Sequence, residues 1–168
     1  SLAATTAAAP LSNSIPVFVN FFGLPLPVSP NWNQALIADA AGSSITETAT
    51  GSIRTSGLTI SAAAGIGSAD SPLRATLSSG GVLQADGGSN GVYLNLNSGA
   101  NVKSVSSGNA TSGYGDVSIL AAGDLMPTGG GTNISGRSIT IDTTQGSIGS
   151  SAAPMVISAH QQQVGNAT

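Results

Sequence analysis

Apolar and small polar residues alternate in short runs along most of this chain, and Gly-rich or Ser/Thr-rich turns close each run. The clearest stretch is Gly115 to Ala159, GDVSILAAGDLMPTGGGTNISGRSITIDTTQGSIGSSAAPMVISA, with runs at Val117–Leu120, Ile139–Ile141 and Met155–Ile157. A period of two sends one set of side chains into a core and the other toward water, which predicts half-buried strands. From Val117 to Ile139 the step is 22 residues. A chain that repeats such a step lays each strand on the one before it. The pattern therefore predicts an all-β fold, a β-solenoid of about six to eight coils in a rod roughly 30 to 40 Å long.

The regular pattern starts at Ser44 and supplies further runs at Ile45–Thr50, Leu58–Ile60, Val82–Leu83, Val92–Leu96 and Val102–Val105. Gly80-Gly81, Gly87 to Gly91, Gly113 to Gly115 and Gly129 to Gly131 mark the corners, where glycine supplies the sharp backbone bends. Residues 44–168 are accordingly read as the solenoid and residues 1–43 as a linker, or the tail of a preceding coil, followed by a Pro/Phe-rich segment outside the repeat. That segment, residues 10–37, holds all three Phe, the one Trp and five of the eight Pro (Pro10, Pro16, Pro25, Pro27 and Pro30). Prolines at this density forbid a long helix and confine a strand to an edge. Asn31 to Asp39 leaves room for a helical turn or two. The segment reads as a cap over the solenoid, or as a contact surface built on Phe18, Phe21, Phe22 and Trp32.

Composition sharpens this picture. Only 7% of residues are charged and 4% are aromatic, while 23 are Gly. A compact globule needs larger apolar side chains to offset chain entropy, whereas small ones suffice in a narrow stack bonded above and below. A positive mean hydropathy of 0.23 argues against a disordered chain. The net charge is −3, and Arg54, Arg74, Lys103 and Arg137 are scattered, so nucleic-acid binding is not expected. Without Cys there are no disulfides or thiolate metal sites. No signal-peptide pattern or long apolar run is present, and the chain starts at Ser, so it reads as an internal piece of something longer.

A longer repeat overlies the coil repeat. Leu58–Ile60 matches Ile139–Ile141 and Gly65 matches Gly146 at an offset of 81; Ile66–Ser68 matches Ile148–Ser150 and Pro72-Leu73 matches Pro154-Met155 at 82. Residues 52–78 and 133–160 thus form approximate repeat units, spaced close to four coils of about twenty residues. These repeats resemble those of large bacterial exoproteins of the filamentous-haemagglutinin type. The resemblance rests on a Gly-Ser-Ile-Gly turn leading to Ala-x-Pro-hydrophobic (Gly146 to Met155), Gly-Val-Tyr-Leu (Gly91 to Leu94) and Gly-Asp-Val-x-Leu-like strand text (Gly115 to Asp124), and it covers about residues 44–160. It implies a right-handed parallel β-helix, export by an outer-membrane two-partner secretion transporter, and a place in adhesion or biofilm at the bacterial cell surface. Residues 10–37 do not fit that repeat.

Reactive chemistry is sparse in the sequence. His160 stands two residues from Ser158 on one strand, without an oriented acid or a nucleophile elbow, and reads as a solvated histidine. The seven acids (Asp39, Glu47, Asp70, Asp86, Asp116, Asp124 and Asp142) are spread out. Coil stacking offers one route to a carbohydrate-cleaving carboxylate pair, Asp116 or Asp124 with Asp142; capping of turns is the plainer role. The Asp86 to Gly91 loop is oxygen-rich but carries one carboxylate, and reads as a turn rather than a calcium site. Three N-x-S/T triplets, at Asn109, Asn133 and Asn166, are candidate glycosylation points; in so Ser/Thr-rich a chain they arise readily by coincidence.

The sequence reading is thus a non-enzymatic structural or adhesive segment of a secreted or cell-surface bacterial fibre, without cofactor or metal. Its expected partners are glycans or proteins of a host or neighbouring cell, and further copies of itself. The competing readings are a self-polymerising filament subunit that docks through residues 10–37, and a β-helix that binds or cleaves carbohydrate.

Overall fold

The computed structural model describes residues 2–5, 33–38, 41–47 and 52–160, with backbone only for the first two segments. The described chain is all-β: parallel strands stacked as a β-solenoid of about five turns, with no helix. In chain order the strands are β1 (Leu2–Thr5), β2 (Asn33–Ala38), β3 (Ser44–Glu47), β4 (Ile53–Thr55), β5 (Gly57–Ala62), β6 (Gly65–Ile66), β7 (Leu73–Leu77) and β8 (Val82–Gly87). They continue as β9 (Gly91–Leu96), β10 (Ala100–Asn109), β11 (Gly113–Tyr114), β12 (Val117–Ala121), β13 (Leu125–Pro127), β14 (Ile134–Gly136), β15 (Ile139–Thr143) and β16 (Ile157–Ala159). One sheet runs β1-β3-β6-β9-β12-β15, with β4 and β7 beside it; the other runs β2-β5-β8-β10-β14-β16, with β11 and β13 off β10. We call them the first and second sheets.

Register turns the alternation of the sequence into columns. Val117 sits directly opposite Ile139, so the 22-residue step is one coil. In the first sheet the inward columns are Ile45–Ile66–Val92–Val117–Ile139 and Leu73–Leu94–Ile119–Ile141. In the second sheet Ile60, Ala85, Val105, Ile134 and Ile157 stack. Apart from the exposed Ile157, these side chains form a single hydrophobic core, with Ile139 and Ile141 partly buried against it. Large and small residues alternate within a column, as in Ile53–Ala75–Leu96–Ala121, and the alanines are completely buried. Close packing in a narrow lumen is therefore reached without aromatic side chains, which explains the composition.

Coils differ in length because loops interrupt the strands. Between Ile66 and Leu73 the chain makes an excursion, while their partners Val92 and Leu94 are separated by Tyr93 alone. A second excursion parts Pro127 from Ile134, whose partners Val102 and Val105 lie on one continuous strand. These excursions use residues that a plain coil would not need. The count is accordingly about five turns and not six to eight, and at about 4.8 Å per turn the stack is roughly 25 Å long.

Two expectations change near the N-terminus. Residues 33–38 form a parallel strand on β5, with Leu36 opposite Ile60, and not a helical turn, so the stack begins upstream of Ser44. Backbone bonding to β5 along the whole segment overrides the local room for a helix. β1 pairs antiparallel with β3, so residues 2–5 belong to the first sheet and are not a linker, and they run opposite to the parallel direction a preceding coil would have.

The longer repeat proves to be a repeat of corners. Gly67 and Gly149 both have φ of 63°, a conformation that favours glycine. The Gly67 amide donates to Ile45 O and the Gly149 amide to Leu125 O, each at 2.8 Å. Ser68 and Ser71 exchange backbone bonds, as do Ser150 and Ala153, and the Ser68 and Ser150 hydroxyls each accept from the amide three residues on. Yet Ile66 lies in the first sheet, whereas Ile148 bridges to Leu125 beside β10 in the second. The offset of 81 to 82 thus relates two identical turns on different sheets and not two stacked coils.

Candidate functional site

Two surfaces follow from this architecture: the outward columns of the sheets and the last coil. Outward positions carry mostly polar groups, with Leu120 an apolar exception. Ser61, Asp86, Ser106, Ser135 and Ser158 form one column along the second sheet, and the Ser106 hydroxyl donates to Asp86 Oδ1 at 2.8 Å. On the first sheet Tyr93, Ser118 and Thr140 form another, and Arg74, Asn95, Leu120 and Asp142 a third. Strand spacing sets the interval within each column at about 4.8 Å, a regular array of hydroxyl, amide and carboxylate groups.

The last coil is different. Ile139, Ile141, Ile148, Ile157 and Ala159, with Arg137 and Ser138 at the rim, line an open groove of about 560 Å³. These isoleucines continue inward columns whose earlier members are fully buried. Ile148 and Ile157 are 41% and 47% exposed. The groove lies on the lumen side of the last described coil, beside β15 and β16, on which no further strand packs among the described residues.

The predicted site residues fall as follows. Phe18, Phe21, Phe22, Trp32 and Asn166 lie outside the described residues. Asn109 is exposed at the last position of β10, where its Oδ1 accepts from the amides of Thr111 and Ser112 in the following turn at 2.8 and 2.9 Å. Asn133 is 3% exposed; its Nδ2 donates to Val102 O at 3.1 Å and its Oδ1 accepts from the Val156 amide. That nitrogen is sealed inside the stack and cannot carry a glycan in the folded chain, so the triplet at Asn133 is corrected to a structural element. Its amide spans the ladder break that the excursion before β14 creates.

Glu47 does the same work at the other excursion. Its carboxylate, buried although the residue is charged, accepts from the Arg74 backbone amide and, at 3.0 Å, from Arg74 Nε. A charged group in the interior persists only when paired and hydrogen-bonded, and here it replaces a missing backbone partner. Sequence reading passed over this role, though a signal was present: Glu47 falls in phase with Ile45 on the inward face of β3.

Asp124 and Asp116 each have a separate partner. Asp124 Oδ1 accepts from the Ser147 amide at 2.7 Å, linking one coil to the next. Asp116 accepts from Arg137 Nε and Nη2, each at 2.9 Å. Those hydrogen bonds hold the Asp116 carboxyl below the ordinary aspartate range against a smaller opposing effect of burial, and the same contact raises Arg137. Asp142 lies on the outward face of β15. Among the described residues no group of three or more His, Cys, Asp or Glu is placed to hold a metal ion. The Asp86 to Gly91 loop is bonded into the preceding coil through Gly88 N to Ala62 O and Asn90 N to Ala64 O, the geometry of a corner.

His160 joins a small local cluster. Its Nε2 lies 3.0 Å from the Ser158 hydroxyl, its ring stacks on Tyr114 at 3.9 Å and 7°, and its backbone amide donates to Gly136 O. The cluster pins the short strand β16 to the β11 hairpin. No protein-family model, curated protein or solved structure matches this chain.

Proposed function

We propose that the chain is a rigid structural and adhesive segment of a secreted or cell-surface bacterial fibre. The observation that carries this reading is the unbroken registration of columns from Ile45 to Ile139, which makes the coils one stiff body and repeats the outward polar groups at fixed spacing. A regular face of hydroxyls, such as Ser61 to Ser158 with Asp86, suits the many weak hydrogen bonds by which glycans or polar protein surfaces are held. The strand and turn text at Gly91 to Leu94, Gly115 to Asp124 and Gly146 to Met155, similar to filamentous-haemagglutinin-type exoproteins, supports the same reading. In it, the chain reaches the surface through a two-partner secretion transporter and its partners are glycans or proteins of a host or neighbouring cell.

Attachment of chain-coated beads to cells and to immobilised glycans tests the proposal. Beads bearing the native chain are expected to attach, and a Ser106→Lys, Ser135→Lys face variant of unchanged circular dichroism to attach less. Native beads that bind no better than bare ones, to cells and glycans alike, overturn it.

A further inference from the structure

Of the three N-x-S/T triplets, the fold leaves one chemically open. Asn133 is 3% exposed and its Nδ2 donates to Val102 O, while Asn166 lies outside the described residues. Asn109-Ala110-Thr111 has different surroundings. It begins the turn of the hairpin between β10 and β11, where Asn109 pairs antiparallel with Gly113, and residues 109–112 are all exposed. The turn projects into open space: a Cβ built on Gly113 would meet nothing within 4 Å.

The triplet offers a sugar transferase a carboxamide nitrogen and, two residues on, a hydroxyl. Neither the Asn109 Nδ2 nor the Thr111 hydroxyl is bonded to a described residue. The Asn109 Oδ1, by contrast, accepts from the Thr111 and Ser112 amides at 2.8 and 2.9 Å. Those two bonds hold the carboxamide in one orientation. They also draw negative charge onto its oxygen, which favours the form in which Nδ2 has given up a proton. The parallel ladder of β10 with β8 ends at Ser107, before the triplet begins, and its pairings with β13 and β14 end earlier still. A substituent on Nδ2 therefore breaks no bond between coils.

We infer that Asn109 is an acceptor for an N-linked sugar. The donor is a hexose held at its anomeric carbon as a diphosphate ester, a chemistry shared by nucleotide and polyisoprenoid carriers. Nδ2 forms a bond to the anomeric carbon, and the bond from that carbon to the ester oxygen breaks. The diphosphate carrier leaves with the electron pair, and one Nδ2 proton passes to a base of the transferase. Acceptor chemistry at this hairpin is independent of what the rod attaches to, and it is tested on the folded chain with no cell present.

The folded chain is incubated in one arm with an N-glycosyltransferase and a nucleotide diphosphohexose. In the other arm it meets a membrane oligosaccharyltransferase and a lipid-linked diphosphohexose. Intact mass and peptide mapping should then show sugar on Asn109 in at least one arm and none on Asn133; the reacting arm identifies the carrier. Asn109→Gln and Thr111→Val lie at exposed positions, so circular dichroism should stay unchanged while the sugar at this site is lost. Thr111→Ser, which keeps the hydroxyl, should retain it. A folded chain that gains no sugar at Asn109 under conditions that modify a free Asn-Ala-Thr peptide overturns the proposal. Sugar on Asn133 of the folded chain to the same extent as on Asn109 overturns it too, because the triplet and not the fold would then select the site.

Discussion

β9 in the middle of the stack and β15 in its last described coil are built on the same alternation, yet they meet different surroundings. In β9 Val92, Leu94 and Leu96 are at most 1% exposed, with coils on both sides. In β15 Ile139 and Ile141, in the same columns, are only partly buried. Alternation decides which side chains face the lumen; only a further coil above them makes them core. The difference teaches that each turn of this fold borrows its stability from its neighbours, as expected of a quasi-one-dimensional repeat.

Large-to-small substitutions should break the symmetry of that comparison most strongly. Leu94→Ala is expected to cost about 3 kcal/mol, and Ile141→Ala about 1 kcal/mol or less, because a partly exposed site leaves a smaller cavity. Urea unfolding followed by circular dichroism measures both; equal costs would show that the last coil is as well packed as the middle. Corners provide the next contrast. A Cβ on Gly88 would stand 2.0 Å from Ala63 O and 2.7 Å from Ala64 O, both backbone, whereas one on Gly130 meets nothing within 4 Å. Gly88→Ala should therefore cost about 2 kcal/mol and Gly130→Ala no more than about 0.5 kcal/mol. A tolerated Gly88→Ala would mean the coils can slide apart at that corner.

The interrupted ladders sharpen the comparison further. Asn133→Ala strands the Val156 amide and removes a donor from Val102 O, and should cost about 1.5 kcal/mol. Amide hydrogen exchange should show faster opening of β16 and little change at β9; uniform acceleration would refute the local role. The smallest effect belongs to the exposed pair Asp116–Arg137. The Asp116 carboxyl titrates lower in the folded chain, so its contribution is present at neutral pH and is lost as the pH falls through that lowered value. Asp116→Asn should lower the urea midpoint slightly at neutral pH, less so in high salt and not at all in strong acid. A deficit that persists in acid would assign the effect to something other than charge.

Much of the fold was legible because the physics of strands is local. The inward or outward sense of Val117, Ile119, Ile139 and Ile141 follows from period two alone, and the 22-residue step from Val117 to Ile139 is a true register pair. The number of turns was less legible, since the excursions after Ile66 and Pro127 look like any other polar turn until their partner strands are in place. The 81- to 82-residue echo illustrates the same limit. Ile66–Leu73 and Ile148–Met155 repeat one hydrogen-bonded corner, and nothing within eight residues says which sheet the corner serves. The candidate surfaces were legible only in part: the serines were visible, but their column was not.

By itself the sequence determined an all-β chain of short alternating strands, glycine corners and small side chains suited to a narrow lumen, because period and turn chemistry act within a few residues. The tertiary structure alone decided that residues 33–38 join the stack, that Glu47 and Asn133 span broken ladders, that Ser61 to Ser158 align, and that Ile139, Ile141 and Ile157 line a groove of the last described coil. Each of these depends on which strand lies one coil away, a relation between residues roughly 20 to 30 apart that stacking imposes and local preference does not encode.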